Sequence, residues 1–487
     1  LPREDKFARI AALKPARKRA PQEAPIHAGE APAESDRLAE LLGAVIGRNR
    51  YGEHLVVRRW FSSPEPCAPA PHALRLLLPA RPGHPAAAHE RLADPAEWLF
   101  LDTETSGLAG GTGTYAFLVG LAWWEAGGLQ VEQIFMRDYG EEHSLLLELS
   151  RRLAERRLLV TFNGKSFDWP LLETRYRMTR ALAPRPPAAH LDLLHPARQL
   201  WRMRLGSVRL TELERQVLGP VRLGWDRRDD VDAAFIPQIY FDYLRGAPPG
   251  QMLSVFRHNQ MDLRGLAALA GRVFALLSAP EQAGDSEFDA LELYGLSRLL
   301  RHRGEPARAR VVYERALEAG LPAAAGRAAR RDLALLAKRD RDYQRANGLW
   351  EELLHLPSRA VRAPGPGPLA SSIGALPSVA LQSKDRWAAR NSGNGFESSL
   401  EAYEQLAIYY EHQARQHARA AELTREALAR LRSGLHGGRI EPGRGRRWQQ
   451  RFERRLARLT RRSKGQDGRL LLESSFPEAR GRALESK

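Results

Sequence analysis

Asp102 and Glu104 are the residues of this chain best placed to do chemistry. They close the stretch Trp98-Leu99-Phe100-Leu101-Asp102-Thr103-Glu104-Thr105-Ser106-Gly107, whose four leading apolar residues read as a buried strand. Residues i and i+2 of a strand point to one face, so both carboxylates aim at one spot where the sheet opens to solvent. Like charges that close repel each other, and a bound divalent cation relieves the repulsion. An isolated Asp-x-Glu is more often a solvated strand end, so the pair gains weight only from partners downstream. Asp168 is one, ending Asn163-Gly164-Lys165-Ser166-Phe167-Asp168 after the apolar run Leu158 to Phe162. His258 and Asp262 are others, four apart in a helical stretch and therefore on one helix face. Oxygen-rich clusters of this kind select Mg²⁺ or Mn²⁺ over zinc. Two such ions clamp the attacking and leaving oxygens in phosphoryl hydrolysis. A nearby histidine can take the proton from the attacking water.

The elements that must position these groups alternate between strand and helix. After the first strand, Gly107 to Thr114 forms a glycine-rich loop that lets a backbone approach a nucleotide closely. It does not open a helix in the dinucleotide-binding manner, which excludes that reading. Tyr115 to Trp124 and Leu129 to Met136 are expected as strands joined at Gly127-Gly128. Glu141 to Arg157 is an amphipathic helix, and another helix begins near Asp168. His190 to Leu193 is a short strand. Thr211 to Leu218, Phe235 to Leu244 and Met252 to Leu277 are helical. Upstream, Asp36 to Ile46 is a helix, Asn49 to Gly52 a turn, Leu55 to Phe61 a strand, and Pro64 to Pro85 a loop rich in Pro and Ala.

Composition sets the frame. The chain has 487 residues, 43% hydrophobic and 27% charged, an ordinary balance for soluble globular domains. No apolar run is long enough for a membrane span. Leu1 to Lys18 is charged and lacks an apolar core, so no secretory signal is expected. Cys67 is the only cysteine, which excludes a disulfide framework and a Cys-based zinc site and leads us to expect a reducing, cytoplasmic setting. The net charge of +17 and pI of about 10.3 point to a polyanionic partner or to an Arg-rich genome composition.

The motifs resemble those of the DEDD superfamily of 3′–5′ exonucleases on the ribonuclease H-like fold. Asp-x-Glu-Thr-x-Gly at 102 to 107 is similar to the first motif and Asn-x-x-x-Phe-Asp at 163 to 168 to the second. His258 and Asp262 resemble the third, with one departure: the spacing is that of the tyrosine subclass, with imidazole in place of the aromatic hydroxyl. A nearer resemblance, over roughly residues 35 to 275, is to the YprB-like ribonuclease H-like family. It is carried by Leu-Gly-Ala-Val-Ile-Gly at 42 to 47, Gly-Glu-His at 52 to 54, Phe-Asn-Gly-Lys-Ser-Phe-Asp at 162 to 168 and Leu-Asp-Leu-Leu-His at 191 to 195.

The resemblance implies an α/β ribonuclease H-like domain with a mixed central sheet flanked by helices. It implies Asp102 bridging two Mg²⁺ or Mn²⁺ ions, Glu104 and Asp262 completing one shell, Asp168 holding the second ion, and His258 orienting or deprotonating the nucleophile. Thr103, Gly107, Asn163 and Lys165 are the expected substrate contacts, with alternatives for three of them: Asn163 supports the nucleotide or the Asp168 loop, Lys165 touches a phosphate or is a solvated turn residue, and Thr103, alternating with the carboxylates, points into the sheet. Asp192 is either a fifth acidic ligand or the cap of a helix beginning near Leu194. Trp169 is core or a stacking platform. His54, His143 and His195 lack a paired spacing.

The second half reads as paired helices: Leu291 to Arg303 with Ala307 to Ala319, Ala323 to Lys338 with Tyr343 to His355, and Glu397 to Gln413 with Arg415 to Leu431. Ala309 and Ala346 repeat 37 residues apart, near the tetratricopeptide period. The expected organisation is a flexible basic tail over 1–34, a leader over 35–96 that packs on the next domain, and the nuclease-like domain over 97–278. All-α tetratricopeptide-like repeats follow over 287–435, with a mobile insertion at 358–395, and then a basic tail over 436–487. The repeats would hold a protein partner or only bury surface. Within the tail, Arg439 to Lys464 carries eleven Lys or Arg against two Glu and reads as a nucleic-acid grip or as an end cap. The expected function is a metal-dependent 3′–5′ exonuclease, with single-stranded DNA ahead of RNA. The alternatives are a non-catalytic nucleic-acid- or protein-binding scaffold and, more distantly, a structure-specific endonuclease.

Overall fold

The computed structural model describes residues 34–78, 87–107, 112–180, 188–278, 288–356 and 379–473. Among these, one seven-stranded sheet organises the N-terminal half. Its strands are β1 (Val45–Asn49), β2 (Gly52–Phe61), β3 (Trp98–Thr105), β4 (Ala116–Glu125), β5 (Gly128–Phe135), β6 (Leu158–Thr161) and β7 (Ala189–Asp192). They lie in the order β1-β2-β5-β4-β3-β6-β7. β3 pairs antiparallel with β4 and parallel with β6, and β6 pairs parallel with β7. The β4–β5 hairpin closes through Ala126 and Gly127, both with positive φ, the tight turn that matches strand twist. The leader does more than pack on the domain: β2 pairs with β5 along its length and carries β1 on its outer edge, extending the sheet by two strands.

The helices of this half are α1 (Glu34–Leu42), α2 (Pro71–Leu77), α3 (Ala87–Leu92), α4 (Glu142–Glu155), α5 (Asp168–Thr179), α6 (Leu194–Leu205), α7 (Ile236–Leu244) and α8 (Gly250–Ser278). Helical turns span Leu210–Leu213, Glu214–Leu218 and Pro220–Leu223. α2 corrects the expectation of a loop over Pro64 to Pro85: Pro71 sits at the first helical turn, where proline is tolerated, and Ala73, Leu74, Leu76 and Leu77 bury.

β3 alternates between two cores. Trp98 and Phe100 enter the core beneath α6 and the C-terminal part of α8. Leu99 and Leu101 enter the core that holds α4, α5, α7 and the start of α8. Burying each such large apolar side chain contributes about 1.5–3 kcal/mol. Asp102 and Glu104 continue the parity of Trp98 and Phe100, which places them under α8.

The C-terminal half consists of α9 (Ala290–His302), α10 (Pro306–Glu318), α11 (Ala323–Arg339), α12 (Tyr343–His355), α13 (Val379–His412), α14 (His417–His436) and α15 (Pro442–Glu473). The Trp98 core runs without interruption from the sheet into α9 to α13. Trp201 of α6 donates through Nε1 to the buried Glu292 Oε1 at 2.8 Å. A Cβ on Gly295 of α9 would meet the main-chain oxygens of Leu200 and Gln199 at 2.5 and 2.7 Å, so α6 and α9 pack backbone to backbone.

One expectation for this half is corrected. Residues 379–395, read from the sequence as part of a Pro-, Gly- and Ser-rich insertion, are helical, because Val-Ala-Leu-Gln-Ser-Lys-Asp-Arg-Trp-Ala-Ala-Arg is rich in helix formers. The helix of the basic tail continues to Glu473. The tail over 1–33, loop residues 108–111, the linker over 279–286, insertion residues 357–378 and residues 474–487 lie outside the described residues.

Candidate active site

Asp102 is held from above by α8. Asn259, fully buried, donates from Nδ2 to Asp102 Oδ2 at 2.8 Å. The Asn259 Oδ1 accepts from Gln133 Nε2 at 2.9 Å, and Gln133 Oε1 accepts from Gln260 Nε2 at 2.8 Å. Gly120 faces Asp102 across the β3–β4 ladder. A Cβ there would sit 2.1 Å from Asn259 Oδ1, so the missing side chain is what lets the amide reach the carboxylate.

Asp168 begins α5 and is buried. Thr103 donates its hydroxyl to Asp168 Oδ1 at 2.5 Å. That corrects the expected substrate role of Thr103: the residue is buried and its hydroxyl braces a carboxylate. Asp192 is resolved in the same way. Its carboxylate accepts the main-chain N–H groups of Asn163 (2.8 Å), Lys165 (3.1 Å) and Leu194 (3.0 Å). It therefore caps α6 and pins the loop that delivers Asp168, in which Asn163 adopts a left-handed φ of 69°. The side chains of Asn163 and Lys165 are exposed. Gly107 accepts from the Thr105 hydroxyl at 2.9 Å. Trp169 is half-buried, donates to Glu173 at 3.1 Å and sets its ring edge-on to His190. His54 hydrogen-bonds Ser144 and His143 contacts the Thr179 carbonyl, both structural uses.

The third part of the site contains residues that no local motif marked. Asp230 sets both carboxylate oxygens 2.9 Å from His258 Nδ1. The other ring nitrogen, Nε2, lies 3.6 Å from Asp262 Oδ2. Arg227 bridges three carboxylates: Asp262 (2.5 Å), Asp230 (2.9 Å) and Glu214 (2.5 Å). Glu214 approaches α8 at Gly265, where a Cβ would lie 1.9 Å from its Oε1. Asp230, Arg227 and Glu214 come from the segment between α6 and α7, and their acidic and basic neighbours in Asp226-Arg-Arg-Asp-Asp230 look like an ordinary solvated run. Asn259 had a findable signal: it adjoins His258 in a helix that must cover the Asp102 strand.

Burial and then the charges of Asp262 and Asp168 push Asp102 well above the usual carboxylate range. Burial and then Asp102, Asp262 and Asp168 do the same to Glu104. Burial lifts Asp168 to about 6, against hydrogen bonds from Thr103 and the main chain. Burial opposes ionisation of Asp230, but the His258 hydrogen bond and charge and the Arg227 contact hold it below its ordinary value. The four carboxylates Asp102, Glu104, Asp168 and Asp262 thus sit in electrostatic reach of one another. No three His, Cys, Asp or Glu side chains close into a metal cage among the described residues. The donor set nonetheless fits a hard divalent cation on its chemistry: oxygen ligands only, mutually repelling, and one cationic partner, Arg227, at Asp262.

Residues 99–274 match the family profile described as the RNase_H superfamily. That stretch is similar to the ribonuclease H superfamily, in keeping with its mixed sheet flanked by helices. The profile spans β3 to α8 and so contains every residue of the acidic site. The chain is also 32% identical over 260 residues to "Uncharacterized protein YprB" of Bacillus subtilis (strain 168), covering 52% of this chain and 59% of that protein. It therefore spans less than two thirds of that relative's length. Among solved structures, a family B DNA polymerase from the hyperthermophilic archaeon Pyrobaculum calidifontis aligns with a TM-score of 0.30 and 14% identity, over 50% of this chain and 29% of the polymerase. Among the described residues no helix is long and apolar enough to cross a membrane.

Proposed function

We propose that this chain is a metal-dependent 3′–5′ exonuclease that hydrolyses the terminal phosphodiester of single-stranded nucleic acid, DNA ahead of RNA. The observation that carries the reading is the mutually repelling set of half-buried Asp102 with buried Glu104 and Asp168, with Asp262 and His258 beside it. Asp102, Glu104, Asp168 and Asp262 would hold two divalent ions, which supply an acidified water and compensate charge on the leaving oxygen. The chain's own residues do the rest. Asp230 accepts the Nδ1 proton of His258 and fixes the tautomer, leaving Nε2 as the proton acceptor on the Asp262 side. Asn259 and Thr103 lock the first and third carboxylates in place. Gly107, Asn163 and Lys165 remain the residues proposed to meet the substrate. The paired C-terminal helices are proposed as tetratricopeptide-like units for a protein partner.

The deciding experiment follows a 5′-labelled oligonucleotide with Mn²⁺ or Mg²⁺, wild type beside Asp102→Asn. A ladder shrinking from the 3′ end in wild type and absent in the variant is the expected result. Equal hydrolysis by both would refute the site. One observation favours a second reading, a non-catalytic scaffold: the Arg227 guanidinium already neutralises Asp262. Mn²⁺ titration separates the two, since a scaffold of this kind has no use for the ion.

A further inference from the structure

The basic helix α15 divides its arginines between two faces. The inner face packs: Phe452 and Leu459 are buried. Its arginines are neutralised by carboxylates of α13. Arg451 pairs with the buried Glu404, while Arg455 and Arg458 reach the fully buried Glu411 at 2.6 and 2.7 Å. Trp448 is also engaged, stacked on Phe452 with its ring centroid 5.6 Å away and covered by Arg451.

The outer face differs. Arg447, Arg454 and Arg461 are exposed, and none of the three forms an ion pair with a described residue. Seven residues are two helical turns, so the three side chains fall in one line about 10.5 Å apart. The line lies opposite Phe452 and Leu459. The only acidic residue within 442–462, Glu453, is engaged by Gln449 at 2.8 Å; Glu441, just before the helix, also feels the charge of Arg447.

We propose that the Arg447, Arg454 and Arg461 line is a binding surface for the phosphate backbone of a nucleic-acid strand. Each interval of about 10.5 Å spans about three phosphates at 3.4 Å per nucleotide. Trp448 lies on the packed face with Phe452, so the arginine line itself offers charge but no stacking platform and the contact carries no sequence preference. An interfacial membrane helix needs its apolar face free, and that face is buried against α13 and α14. Charge complementarity therefore selects a nucleic acid over a lipid surface. The identity of the partner draws on the nuclease reading; the binding itself does not require hydrolysis.

The test is fluorescence anisotropy of a long labelled oligothymidylate with the full chain in EDTA, across a range of salt concentrations. The wild type is compared with Arg447→Gln/Arg454→Gln/Arg461→Gln, whose folding is verified by its melting curve. The expected result is weaker binding by the variant and a log K against log salt slope shallower by about 2, since each lost phosphate contact removes roughly 0.7 for a single strand. An identical slope for both chains, or no wild-type binding at low salt, would overturn the proposal. Loss of binding to phosphatidylserine vesicles with oligothymidylate binding unchanged would overturn it in favour of a lipid surface. A chain that binds with the expected slope difference yet cuts no oligonucleotide would end the exonuclease reading and leave this surface standing.

Discussion

Asp230 and His258 meet through a hydrogen bond in which either carboxylate oxygen lies 2.9 Å from Nδ1. The bond assigns the ring's two nitrogens to different tasks, Nδ1 as donor to Asp230 and Nε2 as the nitrogen facing Asp262. Asp230→Asn keeps the shape but can present an N–H to Nδ1, which turns the lone pair to the wrong side. The expected outcome is a fall in kcat of about tenfold to a hundredfold, the usual effect of losing an orienting partner. KM and Mn²⁺ affinity should change little, and Asp230→Glu should restore part of the rate. A KM effect with kcat intact would show that Asp230 shapes binding instead.

Gly120 and Asn259 form a pair that is testable without any substrate. A Cβ at 120 would overlap the amide that donates to Asp102. Gly120→Ala should push Asn259 aside and leave Gln133 and Asp102 short of a partner, destabilising the fold by about 1–3 kcal/mol. Asn259→Ala alone should lose a similar amount. The double variant should lose less than the sum, because the shorter side chain removes the overlap. Strict additivity in urea denaturation would mean that the two residues do not act through each other.

Most of the fold was legible because its signals are periodic. The apolar run into Asp102, the Gly-Gly hairpin and the amphipathic helices of the second half appear within a few residues of where their patterns place them. α2 and the first turns of α13 were not legible, since proline, glycine and serine nearby dominate the composition over a long window. In the site, the acidic residues on regular elements were legible from spacing. Asp230, Arg227 and Glu214 were not: their burial depends on α8 passing over the turns at 210–223, a contact between residues some 30 to 50 positions apart that no local pattern encodes.

The junction of the two halves is predicted to be brittle at one atom. Gly295 of α9 rests on main-chain oxygens of α6 at 2.5 and 2.7 Å from a hypothetical Cβ. Backbone cannot swing away as a side-chain end can. Gly295→Ala should therefore separate α6 from α9, strain the Trp201–Glu292 bond and cost about 1–3 kcal/mol. Urea denaturation should show a lowered midpoint. The same substitution at Gly348, where a Cβ meets nothing within 4 Å, is the control and should be neutral or mildly stabilising, as alanine is the better helix former. Equal behaviour of the two variants would argue against close α6–α9 packing.

The acidic site makes a prediction whose sign follows from its carboxylates. Burial raises Asp168 to about 6 in the folded chain, and burial with neighbouring charge raises Asp102 and Glu104 as well. A carboxyl whose folded pKa lies above its unfolded one binds its proton more tightly when folded. Stability from these groups is therefore full below the unfolded carboxylate range and is lost as pH rises through the folded values. For Asp168 the window runs from the ordinary carboxylate range up to about 6, and for Asp102 and Glu104 it also extends upward from the ordinary range. A divalent ion competes with those protons and offsets the repulsion once they leave. Mn²⁺ should accordingly raise Tm clearly at pH 8, where about 2.7 kcal/mol is available at a hundredfold excess over Kd, and hardly at pH 5. Asp102→Asn should raise the Tm of the metal-free chain at pH 8 by removing one repelling charge, and should blunt its response to Mn²⁺. A Mn²⁺ shift equal at both pH values, or equal in the variant, would place the ion elsewhere. No shift in any condition would leave Arg227 as the counter-charge at Asp262, as the scaffold reading requires.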